Sequence, residues 1–434
     1  MYAPPFHRRI LPWIFAIVFI ASAPVLVFYT AGYRYNPLKE KIERNGTMIF
    51  DSKPSGATIL LNGTATGKTT PVTVQDVVPG RYVIRYEKDG YWPWEKQLDV
   101  LPELVTFAND VRLWKKTVPT YRNVPDARMF ETSPNDRLVA VLESHGASSS
   151  QIGVWTTDLS LQRNFSFPHP VGSDAILTWS DDSRALLAET HSASGTSSWL
   201  LNIRTGLGPI ALPEGTYRWN GTSLEGTADS SLVTINADDG SIKREPFASG
   251  VADRFDDMVL RTATGTDNLV LFRRADPLHG FILPPGRWRI HGMRENELIL
   301  RDGSDWLAVD LDSNPPNMTR ATGDALRPYV EKRKTSYLLV NDGEIWRWDA
   351  GNNAELLLRE SQPVADAHWH SAGRDIAFAS GKDVAMLNLD TRDGRIRTVL
   401  SSFDEVTDVA FIKNSLLMAG TKNGQSGLWQ LTIE

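Results

Sequence analysis

The chain has 434 residues, enough for two or three domains with cores of their own, and 41% hydrophobic with 23% charged residues is a globular balance. A net charge of −6 with scattered basic residues argues against a nucleic-acid partner. Cysteine is absent, which removes disulfides, thiol catalysis and cysteine-ligated zinc.

Residues 1–10 form a short tail. From Leu11 to Ala31 there is no charged residue over 21 positions. As a helix this run would be about 31 Å long, enough to cross the hydrocarbon core of a bilayer. Trp13, Tyr29 and Tyr33 lie near its ends, where amphipathic rings favour the interface. A cleaved signal peptide is the rival, with Ala21-Ser22-Ala23 resembling a cleavage site. Pro24 directly after it disfavours cleavage, so a retained single-pass anchor over 11–31 is expected, with a juxtamembrane segment at 32–45.

Residues 46–116 alternate short β-type runs with turn pairs: "TMIFDS", "ATILLN", "VTVQDV", "RYVIRYEK", "WEKQLDV" and "VTFANDVRLW". Within them, Gly63 to Thr69 looks like a phosphate-binding loop. That motif needs a glycine five residues before the glycine of Gly-Lys-Thr, and a helix immediately afterwards. Asn62 occupies the required position, and Thr70-Pro71-Val72-Thr73-Val74 reads as a turn entering a strand. No nucleotide is expected; Gly67-Lys68-Thr69 reads as a loop between strands.

The landmarks of this segment occur in a recognisable order: Pro54-Ser55-Gly56-Ala57, Asn62-Gly63, Gly67, Thr70-Pro71, Pro79-Gly80-Arg81-Tyr82 and Gly90-Tyr91. They resemble the PEGA domain, with Ser55 where the family has Glu. The resemblance implies a small non-catalytic β-sandwich of the kind associated with microbial surface proteins. Trp92 and Trp94 in "GYWPWEKQ" offer two readings, an exposed platform for a sugar or protein ligand, or filling of the sandwich core or its junction with the next domain. Positive-inside counting is equivocal, since Arg8 and Arg9 precede the span while Arg34, Lys39, Lys41 and Arg44 follow it. A long folded domain translocates largely regardless of charge. Leaning on the resemblance, the expected location is a cell membrane, with the N-terminus cytoplasmic and the later domains outside.

After a linker at 117–126, residues 127–434 repeat. Blocks begin near Phe130, Leu177, Tyr217, Asp253, Trp288, Pro328, His368 and Val409, at the spacing of propeller blades. Such units cannot bury both faces alone and must stack around an axis. "WSDDS" from Trp179 and "HSAGR" from His370 resemble the hairpin of WD-like bacterial propellers. The fold expected is all-β apart from the N-terminal transmembrane helix: a PEGA-like sandwich, then a β-propeller of eight blades, with seven as the alternative. The tryptophans at equivalent repeat positions read first as architecture.

No catalytic motif survives inspection. There is no His-Glu-x-x-His and no Gly-x-Ser-x-Gly. Asp310-x-Asp312-x-Asn314 starts like a calcium loop, but has Pro315 where the turn needs Gly and Ala321 where Glu should close the shell. Asp366-x-His368-x-His370 is the sharpest constellation, because alternate residues of a strand share a face. It is a weak metal candidate without a nameable fourth ligand, and structural histidines are the better expectation. Faint likeness of "NADDGSIKREP" to quinone-cofactor propeller repeats is turn chemistry that serves any blade, so no cofactor is expected. The function expected is a non-catalytic cell-envelope scaffold, its propeller binding a protein partner or a surface polymer. The alternative is an anchored propeller hydrolase acting on envelope glycans or peptides.

Overall fold

The structure, a computed structural model, describes residues 6–30, 32–36, 41–144, 150–158, 160–167, 175–192, 195–263, 265–266, 268–331 and 334–434. Residues 1–5 of the tail, Lys39, and the side chains of Arg8, Arg9, Arg34 and Lys41 lie outside the described set. The chain divides into two compact units: Met1–Lys116 with Asp390–Arg395 and Glu434, and Thr117–Leu389 with Ile396–Ile433.

In the first unit, helix α1 spans Phe6–Thr30. Its window Trp13–Thr30 has a mean hydropathy of 2.1, and none of that window is buried against protein. By length and composition it can cross a membrane. The Thr30 hydroxyl donates to the Leu26 carbonyl at 2.9 Å, occupying one of the carbonyls that a helix end leaves unpaired. A hairpin follows, β1 (Tyr33–Asn36) against β2 (Lys41–Arg44).

Seven strands build the sandwich: β3 (Gly46–Lys53), β4 (Thr58–Leu61), β5 (Thr64–Thr69), β6 (Val72–Val77), β7 (Gly80–Glu87), β8 (Trp94–Val100) and β9 (Val105–Arg112). One sheet runs β6-β3-β9, the other β5-β4-β7-β8. Alternation sets the register: β3 and β8 bury every second residue, so Met48, Phe50, Trp94, Leu98 and Val100 enter the core with Ile59, Ile84 and Tyr86. Lys96 shares the buried face of β8, and its ammonium donates to the carbonyls of Asp390, Arg392 and Gly394 at 2.5–2.6 Å. Three acceptors satisfy the buried charge.

Gly67-Lys68-Thr69 departs from expectation. The stretch lies in edge strand β5, not in a loop. Thr69 pairs with Thr58 and Ala65 with Leu60, so β5 carries extra residues between those pairs. Gly67, at φ +70°, sits in that bulge, where a glycine relieves the left-handed geometry.

The second unit consists, among the described residues, of eight four-stranded antiparallel sheets in chain order. The first strands of these sheets are Ala127–Thr132, Ile176–Trp179, Thr216–Asn220, Val251–Phe255, Arg289–Arg294, Ala325–Glu331, Val364–Trp369 and Glu405–Ile412. Several neighbouring first strands meet, those of the sixth, seventh, eighth, first and second sheets in succession, as blades of a propeller do. The second strand Asp375–Ser380 is buried along its whole length, as expected of a strand covered on both faces. Each repeat block read in the sequence contains or adjoins one of these first strands, which gives eight blades and not seven.

The stretch read as a linker, 117–126, contains a strand instead. Thr120–Pro125 pairs with Gln425–Thr432 and completes the last sheet. Its short, half-exposed pattern has no periodicity that separates it from a connector.

Candidate functional site

Chemistry-bearing groups of the second unit gather on the first strands. Asp253, Asp366 and Asp408 each follow a register shift in their strand. A bulge re-aims the side chain, and here it sends the carboxylates toward the neighbouring blades. Asp253 Oδ2 accepts the Ile290 amide at 2.9 Å, and Asp408 Oδ2 accepts the Phe130 amide at 2.8 Å. In both cases the donor belongs to the next blade around the ring.

Asp253 is also held by Arg218, whose Nη2 and Nη1 donate to Oδ1 and Oδ2 at 2.9 and 3.2 Å. Thr227 adds a bond to Oδ1 at 2.6 Å, and Arg218 Nη1 reaches the Ile290 carbonyl at 2.9 Å. Burial would push the Asp253 carboxyl up, but Arg218 and these donors hold it below the usual range.

The second cluster contains two of the three residues singled out above. His368 Nε2 lies 2.9 Å from Asp366 Oδ2, which also accepts from Arg327 Nη2 at 3.1 Å. Arg327 Nη1 donates to Glu131 Oε2 at 3.0 Å. The third neighbour is Asp408, not His370: ligand-type atoms of Asp366, His368 and Asp408 lie within 4.8 Å of one another. Burial opposes ionisation of Asp366, but Arg327 and then His368 hold its pKa far below the carboxylate norm. Burial, followed by the charge of Asp366, pushes Asp408 well above it. Burial and the neighbouring carboxylate both favour the protonated form of Asp408, as in paired carboxyls. Arg327 already stands where a cation would neutralise these groups.

His370 lies beyond the strand, in the turn to the next. Its amide donates to Asp375 O at 2.9 Å, its carbonyl accepts from Gly373 at 2.8 Å, and Nδ1 accepts the Ala372 amide at 3.1 Å. Ser133 and Ser180 hold the same place in earlier blades. The strand ends before a shared face can reach His370, and its ring packs edge-on to Phe411 instead.

Three tryptophans latch blades together. Trp179, Trp219 and Trp369 donate from Nε1 to the carbonyls of Glu131, Thr178 and Arg327 at 3.0, 2.9 and 3.1 Å. Each acceptor lies on the first strand of the preceding blade. A polar groove of about 450 Å³, lined by Asp182, Arg184, Asn202, Thr234, Asp238 and Lys243 among others, lies elsewhere on this unit.

The sandwich places its landmarks as structure. Ala57 is fully buried, and its amide donates to Thr70 Oγ1 at 3.1 Å while Ser52 Oγ lies 2.6 Å from the same hydroxyl. Pro54 and Gly56 form the turn into β4, with Gly56 N donating to the Thr70 carbonyl at 2.7 Å, and Pro71 leads into β6. Asn62 and Gly63 make the β4–β5 turn at positive φ, and Asn62 Oδ1 accepts the Val83 amide. Pro79 and Gly80 open β7, where the Tyr82 hydroxyl returns to the Val78 carbonyl at 2.8 Å. Gly90 turns at φ +78°, and Tyr91 bridges to Lys115. Trp94 is not a ligand platform: it is buried, with its ring stacked 5.2 Å from Tyr86. Trp92 is half-buried with the Lys116 ammonium 5.1 Å from its ring centre. The even positions of β8 face inward, which takes Trp94 into the core.

Residues 45–114 match the PEGA domain. The PEGA segment accounts for the sandwich alone, and no curated protein matches the chain. Among solved structures, a chain of "Crystal Structure of Mitotic Checkpoint Complex" is similar at 11% identity, with 73% of this chain and 89% of that one covered and a TM-score of 0.42. The eight-bladed architecture rests on the strand pairing itself.

Sequence reasoning missed Arg218, Asp253, Arg327 and Asp408. Arg218, Arg327 and Asp408 each stand between uncharged neighbours and Asp253 directly precedes Arg254, and each finds its partner on another blade. A charged residue inside a first-strand pattern was the available signal.

Proposed function

We propose that this chain is a membrane-anchored scaffold of the cell envelope, with α1 in the membrane and the later domains on the extracytoplasmic side. The propeller recognises a protein partner or a surface polymer and catalyses no reaction. The observation that carries this reading is how the ring spends its charges. Arg218, Asp253, Arg327, Asp366 and Asp408 are engaged in bonds between blades, which makes the ring a frame. On such a frame the connecting loops are free to carry recognition. The uncovered apolar window of α1 followed by a PEGA segment supports attachment to, or export across, a membrane.

Crosslinking of the full-length protein in its own envelope, followed by mass spectrometry, tests the reading, with a chain lacking 117–434 as control. A discrete partner lost with the propeller is the expected result. Recovery of nothing reproducible, together with turnover of envelope glycans or peptides by the purified protein, would replace the scaffold with the hydrolase. Burial pushes Glu189 and Glu297 of the propeller each up to about 7, so they are the carboxyls to substitute first in that case.

A further inference from the structure

We propose that the PEGA sandwich rests on the bilayer that holds α1, through the turn between β8 and β9 and the first residues of β9. This rests on the reading of α1 as a retained membrane anchor, and it holds for either side of the membrane.

A short relay of backbone hydrogen bonds joins the helix end to this turn. Gly32 N donates to Tyr29 O at 3.2 Å, within the last helical turn. Asn45 N donates to Gly32 O at 3.1 Å, and Glu103 N donates to Asn45 O at 3.2 Å. Thr47 N, at the start of β3, donates to Leu104 O at 3.0 Å. Gly46 is pressed against the same turn: a Cβ there would come within 2.7 Å of the Leu101 carbonyl. Two interstrand spacings therefore separate Glu103 from the chain leaving the helix, about 10 Å. The headgroup layer on each side of the hydrocarbon is itself several ångströms deep, so the turn lies at or beside that layer.

Its residues suit the layer. Leu101, Leu104, Val105 and Phe107 are 45–55% exposed, a cluster of large apolar side chains on one end and edge of the sandwich. β9 is an edge strand, and Val105 and Phe107 point the same way along it. The hairpin adds Tyr35 and Ile42, direct cross-strand partners that are 61% and 67% exposed. The acidic member of the turn is neutralised, with Arg44 Nη1 3.1 Å from Glu103 Oε2. Apolar side chains with an aromatic admixture and a paired charge are what a membrane interface accepts. Continuity with the lipid around α1 makes the bilayer the occupant of this surface.

The absence of native cysteine allows the test on the full chain. Single cysteines at Leu104, Phe107, Val18 and Asp89 are spin-labelled, and the protein is reconstituted in phosphatidylcholine–phosphatidylglycerol vesicles. Contact with dissolved oxygen, which concentrates in lipid, is compared with contact with a water-soluble nickel chelate. Val18 lies in the apolar window of α1, and Asp89 in the turn at the far end of β7. The expected result is a lipid-like ratio at Val18, a water-like ratio at Asp89, and a shift toward oxygen at Leu104 and Phe107. Labels at Leu104 and Phe107 that match Asp89 while Val18 reads lipid would overturn the docking and leave the anchor standing. Shielding of both labels from both reagents would overturn it in favour of a second protein copy. A water-like ratio at Val18 would remove the anchor and the docking together.

Discussion

Asp408 Oδ2 accepts the Phe130 amide at 2.8 Å, so a side chain of the last blade holds the backbone of the first. Its carboxyl lies beside Asp366, whose charge together with burial raises its pKa above the ordinary carboxylate range. Asn at 408 keeps an acceptor for Phe130 and places a neutral amide donor beside Asp366. Asp408→Asn is expected to be near neutral at pH 5, while Asp408→Ala costs about 1–3 kcal/mol by leaving the Phe130 amide unpaired. Denaturant titration of the two variants beside the parent checks this.

The pH dependence has a definite sign. Asp408, Glu189 and Glu297 all have raised folded pKa values, the last two about 7. Stabilisation from a raised carboxyl is complete below its unfolded pKa and is lost as pH rises through the folded value. The depressed carboxyls Asp253 and Asp366 act the other way, but their contribution is already present above the unfolded range near 4. His291, lowered to about 4 by burial, also acts the other way up to about pH 6.5 and offsets part of the slope without matching the three raised carboxyls. The propeller transition is therefore expected to weaken between pH 5 and pH 8, and a Glu189→Gln, Glu297→Gln double variant flattens that slope. Denaturant midpoints across the window decide it; a midpoint that rises would contradict the assignment.

Arg218 and Asp253 form a buried pair in which both carboxylate oxygens and both terminal guanidinium nitrogens are hydrogen-bonded. Asp253→Asn strands the guanidinium and is expected to cost roughly 3–5 kcal/mol, whereas replacing both by apolar residues of similar volume costs much less. Thermal unfolding of the single and double variants separates a broken pair from a lost shape.

Arg327 is the cation of the Glu131–Asp366–Asp408 cluster. Arg327→Met removes it, and the variant is expected to lose about 3 kcal/mol or more. Part of that loss should return on adding zinc or calcium, because three carboxyls and His368 then lack a positive charge. The parent chain is expected to gain no such stabilisation in the same melting series.

Trp179, Trp219 and Trp369 repeat one latch. Phenylalanine at any one of them deletes a bond to the preceding blade for about 1 kcal/mol. The three sites use separate acceptors, so their losses should add to within a few tenths of that unit. A triple variant whose midpoint barely moves would make the tryptophans filler only.

Local patterns of the chain carry the blades, because each first strand begins an apolar block that neighbours on both faces require. They also carry the PEGA landmarks, which are turn residues with local duties, as at Asn62 and Tyr82. Relations between blades are not local. Asp408 and Phe130 are 278 residues apart, and nothing near either in the sequence announces the other. The shared face of Asp366, His368 and His370 fails at His370 because alternation along a strand says nothing about where the strand stops, whereas the hairpin likeness that begins at His370 agrees with its turn position. Thr120–Pro125 was missed because an outer strand covered on one side need not alternate.

That outer strand has a consequence for synthesis. Tyr121 and Ser426 touch across 305 residues of chain, so the first strand of the propeller is made long before the sheet it completes. Until Gln425–Thr432 emerges, Thr120–Pro125 has no partner and the first and last blades each present a bare flank. The growing chain must therefore be kept from pairing with foreign strands through nearly the whole of its elongation. Loss of only the final strand would strip the last sheet of two strands at once.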